Sequence, residues 1–182
     1  MGFDLLLWGI LLLVSPFYGI TDIVAAILII VALSRGEAYL KDFDRASSFS
    51  CLFLITGISE LIFGYIIPNM SLATRVLAIW RCGLLIPILV HIILGIKELA
   101  IIGENKEIHD MAERLRRPMA ITVATFAVTI ALEGFFSWLY PVAVTLSVAF
   151  SVLVMMLFSV VFRCYKELNI YPGAVSDDDE DL

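Results

Sequence analysis

Four long apolar runs mark the chain, at about 50–67, 72–96, 119–139 and 141–163. Each comes near the roughly 20 residues that a helix needs to cross the hydrocarbon of a bilayer. Their borders coincide with Pro68-Asn69, Pro118 and Pro141, because a helix interior rejects proline and a first turn accepts it. A further apolar region, 3–34, is too long for one crossing. As a single helix it would measure about 48 Å against a core of about 30 Å. The stretch "SPFYGITD" at 15–22 divides it, with Pro16 and Gly19 as breakers and Thr21 or Asp22 as N-cap. This predicts a short helix at 3–15 and a full-length one at 22–40. The short helix either crosses or dips in and returns, and a single kinked helix is the remaining option.

The polar segment between the second and third long runs has a helical period of its own. In "ENKEIHDMAERLRRP", Ile108, Met111, Ala112 and Leu115 recur at i, i+3, i+4 and i+7 with charges opposite. A short amphipathic surface helix is expected over about 105–117, with Arg116 and Arg117 placed to meet anionic headgroups. His109 and Glu113 have the i, i+4 spacing of a metal pair, but no third ligand lies near them in sequence, so no metal is expected.

Composition fixes the solvent. The chain is 61% hydrophobic and 16% charged. A soluble domain averages about 45–50% apolar and about 25% charged. The fold class expected is therefore all-α: an integral membrane helical bundle of five to six transmembrane segments with a short cytoplasmic amphipathic helix. The net charge of −6 gives no reason to expect nucleic acid. Much of it comes from "SDDDEDL" at 176–182, and 171–182 reads as a disordered acidic tail. The N-terminal apolar segment has no basic stretch before it and no small-residue cleavage site after it, so it is expected to be retained. Cys51, Cys82 and Cys164 fall in or beside apolar segments and imply neither disulfides nor zinc.

Basic residues orient the bundle. Arg35, Lys41 and Arg45 lie in 34–49; Lys97, Lys106, Arg114, Arg116 and Arg117 lie in 97–118; Arg163 and Lys166 follow the last span. The loops on the other side hold Arg75 alone. By the positive-inside rule, 34–49, 97–118 and the C-terminus are expected to be cytoplasmic. Tyr18, Tyr65, Trp138 and Tyr140 then fall at the outer boundary, and Tyr39 and Tyr165 at the inner one, as an interfacial belt.

Few charges remain inside the spans: Asp22, Glu60, Arg81 and Glu133, with His91 as a further titratable group. Such residues are costly in lipid and face a bundle interior, a cavity or one another. Glu60 lies about 10 Å and Arg81 about 13 Å below the outer ends of two helices joined by a short turn, so an ion pair is expected. Glu133, about 9 Å down, and Asp22 fall at a similar height, while His91 lies about 15 Å further toward the inner side. Asp22, Glu60, Arg81 and Glu133 form the candidate polar cluster, with His91 and Thr129 secondary. Ser50, Gly57 and Gly64, flanked by Thr56, form one stripe of small and hydroxyl residues; Thr125, Thr129, Glu133 and Ser137 form another. Such stripes let membrane helices approach and hydrogen-bond across the seam.

No phosphate loop, nucleophile elbow or metalloprotease motif occurs, and no internal repeat points to an inverted-repeat transporter. "NMS" at 69–71 fits the N-glycosylation pattern on the expected outer side; it matters only in a secretory-pathway host, and a random match is the expectation. Residues 12–46, "LLVSPFYGITDIVAAILIIVALSRGEAYLKDFDRA", resemble the opening of certain small multi-pass membrane proteins of Gram-positive bacteria. The resemblance rests on a proline-containing break, Gly19, Asp22, a Leu/Ile-rich span and a basic exit, and covers about a fifth of the chain. The acidic-proline element that follows in those proteins is missing. What it implies is a bacterial inner membrane, without an activity. The expectation is a non-enzymatic interaction or accessory membrane subunit, with no cofactor, partnered by the lipid bilayer and by a membrane protein or a second copy. The alternative is a small transporter or channel-like component built on the outward-facing polar cluster.

Overall fold

The structure is a computed structural model that describes residues 2–13, 20–34, 40–66, 71–133 and 136–167. Among these residues it is all-helical: α1 (Phe3–Leu12), α2 (Ile20–Ser34), α3 (Lys41–Ile66), α4 (Ser71–Ile102), α5 (Lys106–Glu133), a 3-10 turn (Ser137–Leu139) and α6 (Tyr140–Glu167). The breakers Pro16 and Gly19, the turn at Pro68-Asn69 and the acidic tail at 171–182 lie outside the described residues. Four helices, α3 to α6, are long and apolar enough to cross a membrane. The other two are shorter, at 10 and 15 residues, or about 15 and 22 Å.

Several helices run further into polar sequence than hydropathy predicts. The third begins at Lys41 rather than near 50, and the fourth continues to Ile102 rather than ending near 96. The largest correction concerns α5. The surface helix expected at 105–117 and the span expected to start at 119 are one helix, with Pro118 inside it. The reason is visible in its buried stripe: Ile108, Ala112, Leu115, Met119 and Val123 are all essentially inaccessible and pass the proline without a change of face. Pro118 itself is exposed on the other side, where its ring displaces no core contact. The span expected to run to 139 is described as α-helix as far as Glu133, and Ser137–Leu139 is already a 3-10 turn. Pro87 likewise lies within α4, whereas Pro141 occupies the first turn of α6, where its missing N–H is harmless.

The turn between α4 and α5 has a specific chemistry. Glu104 takes the left-handed conformation, with φ 53°. Its N–H donates to the Ile101 carbonyl at 3.1 Å, and the Asn105 N–H donates to the Ala100 carbonyl at 2.8 Å. This pair of bonds is a Schellman C-cap, and Asn105 then caps α5 by accepting from the Ile108 N–H at 3.1 Å. Three backbone residues thus end one helix and start the next.

Contacts order the helices by direction. Phe3 at the start of α1 meets Tyr165 near the end of α6, with ring centroids 6.2 Å apart. Glu107 at the start of α5 pairs with Arg163, and Lys97 near the end of α4 donates to Glu113 at 2.7 Å. All of these groups belong to one basic end of the bundle. Since α1 starts there and Asp22, at the start of α2, lies beside Arg81 far up α4, the first two helices are antiparallel arms of a hairpin. A Cβ on Gly9 would stand 2.7 Å from Ile29, which shows how closely the arms approach. The buried core runs through all six helices, from Leu6, Ile10 and Ile29 through Phe43, Phe53, Ile92 and Ile96 to Ile108, Val154 and Val161.

Candidate functional site

The polar centre of the bundle is built from three helices. Asp22 belongs to the first turn of α2, Glu60 to the last third of α3, and Arg81 to the first half of α4. Arg81 Nη1 donates a hydrogen bond to Asp22 Oδ2 at 2.7 Å. Glu60 Oε2 lies 2.8 Å from the same nitrogen, yet it accepts no hydrogen bond among the described residues. Near the cluster, Ile23 of α2 faces Gly57 of α3, one turn before Glu60, where a Cβ would make ordinary van der Waals contact with Ile23 at 3.4 Å. Asp22, the neighbour of Ile23, and Glu60 both reach the same arginine nitrogen. Asp22 and Arg81 are both buried, whereas the Glu60 side chain keeps 23% of its surface.

One guanidinium therefore faces two carboxylates. A charge-assisted bond to Asp22 satisfies one acid directly, and Glu60 is held by charge alone. With both acids ionised the cluster carries one negative charge in excess.

The other expected members fall differently. The side chain of Glu133 lies outside the described residues, and its backbone is the last residue of α5. Thr129 is buried, but its hydroxyl donates to the Thr125 carbonyl of its own helix at 2.8 Å. Ser50 and Thr56 do the same, to Ala46 and Leu52, both at 2.8 Å. Hydrogen bonds across the seam were expected from these hydroxyls; each one instead satisfies itself locally, as serine and threonine in helices commonly do. Ser137 does not continue the row from Thr125, because α5 has ended and the 3-10 turn has begun.

His91 forms a second polar point nearer the basic end. Its Nδ1 lies 2.9 Å from Asp42 Oδ1, and its ring stacks on Phe49 with centroids 5.9 Å apart and planes 7° from parallel. Asp42 and Phe49 are seven residues apart on one face of α3, so the imidazole is held between them. Sequence reasoning missed Asp42 because it assigned 34–49 to a loop. The signal available was the acidic pair Asp42 and Asp44 ahead of an apolar run, which favours a helix start.

Comparison with protein-family models, with curated proteins and with solved structures finds no match to this chain.

Proposed function

We propose that this chain is a multi-pass integral membrane protein that acts as a non-enzymatic interaction or accessory subunit. In this reading α3 to α6 cross the bilayer, and the α1–α2 hairpin enters from the basic end, giving the five to six apolar segments. Support for lipid as the solvent comes from the surface. Ile121, Val128, Val148, Val152, Trp8 and Trp80 are all exposed, an apolar girdle that water would not tolerate. The basic end is assigned to the cytoplasm by the positive-inside rule. The resemblance of residues 12–46 to small Gram-positive membrane proteins favours a bacterial cell membrane.

The observation that carries the accessory role is the convergence of Asp22 and Glu60 on one nitrogen of Arg81. The buried cation is spent on joining three helices, which leaves an architectural element rather than a receptor. Crosslinking of the full chain in its native membrane, followed by purification, should capture a stoichiometric protein partner or a second copy. The test fails if the chain purifies alone while a ligand-and-ion screen raises its melting temperature.

One observation favours a second reading, a small transporter or channel-like component. The Glu60 side chain is partly accessible and its Oε2 accepts no hydrogen bond among the described residues, so a proton or cation could be taken up beside Arg81. Uptake into proteoliposomes that is abolished by Glu60→Gln, with stability unchanged, would establish this reading instead.

A further inference from the structure

We infer that the basic end of α5 carries a binding site for the headgroup phosphate of an anionic phospholipid, formed by Arg114 and Arg117. The inference rests on α5 crossing a bilayer, as proposed above. Helical geometry supplies the first part of the argument. Ile108, Ala112, Leu115, Met119 and Val123 define the buried face of α5. At 100° per residue, Arg114 and Arg117 fall on the opposite side, in one arc with Ile121 and Val128, which are 65% and 58% exposed. The two arginines therefore stand about 6 and 10 Å beyond Ile121 on the same outward stripe. An acyl chain lying along Val128 and Ile121 would bring its headgroup to their level, and their long side chains reach such a depth by snorkelling.

The charges nearby supply the second part. Each acid on this stretch of α5 has a hydrogen-bonding partner of its own. Glu107 pairs with Arg163, Asp110 lies 3.2 Å from His109, and Glu113 is held by Lys97 at 2.7 Å and by Arg116 at 3.0 Å. Of Arg116 and Arg117, the two residues that sequence spacing offered to the headgroups, Arg116 is thus already engaged. Arg114 and Arg117 make no contact-distance ion pair or hydrogen bond among the described residues; Arg117 acts on Glu113 only through its charge at longer range. Two guanidinium groups left over at the edge of an apolar surface match a phosphate in charge and in fork geometry. A free phosphate would use the arginines but not Ile121 and Val128.

The full chain reconstituted in nanodiscs of phosphatidylcholine, alone or mixed with phosphatidylglycerol, tests this by native mass spectrometry of the lipids retained. Wild type is expected to retain phosphatidylglycerol in preference. Preference should fall roughly fivefold for Arg114→Gln or Arg117→Gln and about thirtyfold for both together. Arg116→Gln should leave it unchanged, and the double lysine variant should keep most of it. The double glutamine variant should melt as wild type does in pure phosphatidylcholine, since both side chains are exposed. Equal retention by wild type and the double glutamine variant overturns the proposal. So does full competition by inorganic phosphate, which would make the site one for a free anion. Selectivity that emerges only when Asp177, Asp178, Asp179, Glu180 and Asp181 are neutralised would assign the arginines to the chain's own acidic end, and also overturns it. A chain released from membranes by alkaline carbonate would overturn the membrane reading first, an outcome distinct from loss of lipid preference.

Discussion

Gly95 of α4 lies directly against the ring of Phe43 of α3: a Cβ at position 95 would stand 2.6 Å from Cδ1 and 2.8 Å from Cζ. Phe43 is completely buried and cannot swing aside. Gly95→Ala is therefore expected to destabilise the bundle by about 1–3 kcal/mol through overpacking. The matched control is Gly83 on the same helix, which has no atom within 4 Å of its would-be Cβ. Gly83→Ala should be neutral or stabilise by about 0.5–1 kcal/mol, because alanine restricts the unfolded chain and favours the helix. Denaturant unfolding in detergent compares the two. Equal effects at both positions would contradict the close approach of α3 and α4.

The three-charge cluster predicts an order rather than a single loss. Removing Arg81 as Arg81→Gln leaves two carboxylates facing each other in a buried site, at a cost of about 3–5 kcal/mol. Asp22→Asn should cost less, and Glu60→Gln least, under about 1 kcal/mol, because a neutral Asp22–Arg81 pair remains. The triple variant, with all three neutralised, should be more stable than Arg81→Gln alone. If Glu60→Gln proves as damaging as Arg81→Gln, Asp22 is not the principal partner of the arginine.

At the α4–α5 turn, Glu104 holds a positive φ that glycine adopts without cost. Glu104→Gly should raise stability by about 1 kcal/mol, whereas Glu104→Val should lower it. Thermal melting of the two variants in the same detergent gives the comparison. A destabilised Glu104→Gly chain would mean that the left-handed residue is elsewhere.

The His91–Asp42 contact should appear as a coupling. His91→Phe keeps the stack on Phe49 but removes the hydrogen bond, and Asp42→Ala removes it from the other side. A double-mutant cycle is expected to return about 1 kcal/mol of interaction energy. A value indistinguishable from zero would show that the histidine is held by stacking alone.

The apolar runs were legible in the sequence because a helix crossing lipid must be apolar along its length: 72–96 and 141–163 lie within helices, and so do the described residues 50–66 of the run 50–67. Helix ends were not, because hydropathy reports the solvent around a residue, whereas backbone hydrogen bonding continues past the point where the solvent changes. Lys41 and Ile102 mark ends that apolarity could not locate. Pro118 misled for a related reason: a proline on an exposed face costs one hydrogen bond without disturbing the packed stripe that sustains the helix. The approach of Glu60 to Arg81 was readable from two antiparallel helices joined by a short turn. The arrival of Asp22 at the same nitrogen was not, since it depends on how α2 packs against α3 and α4, which no local spacing encodes.

The hairpin also has a consequence in time. Asp22 is made 59 residues before its partner Arg81. At the pace of synthesis, about 5–20 residues per second, that interval is about 3–12 s. During it Asp22 waits for the guanidinium that holds it in the finished bundle. The first helices made thus complete this contact only after α3 and the start of α4 have followed them, and a ribosome stalled before residue 81 would leave the three-helix junction unformed.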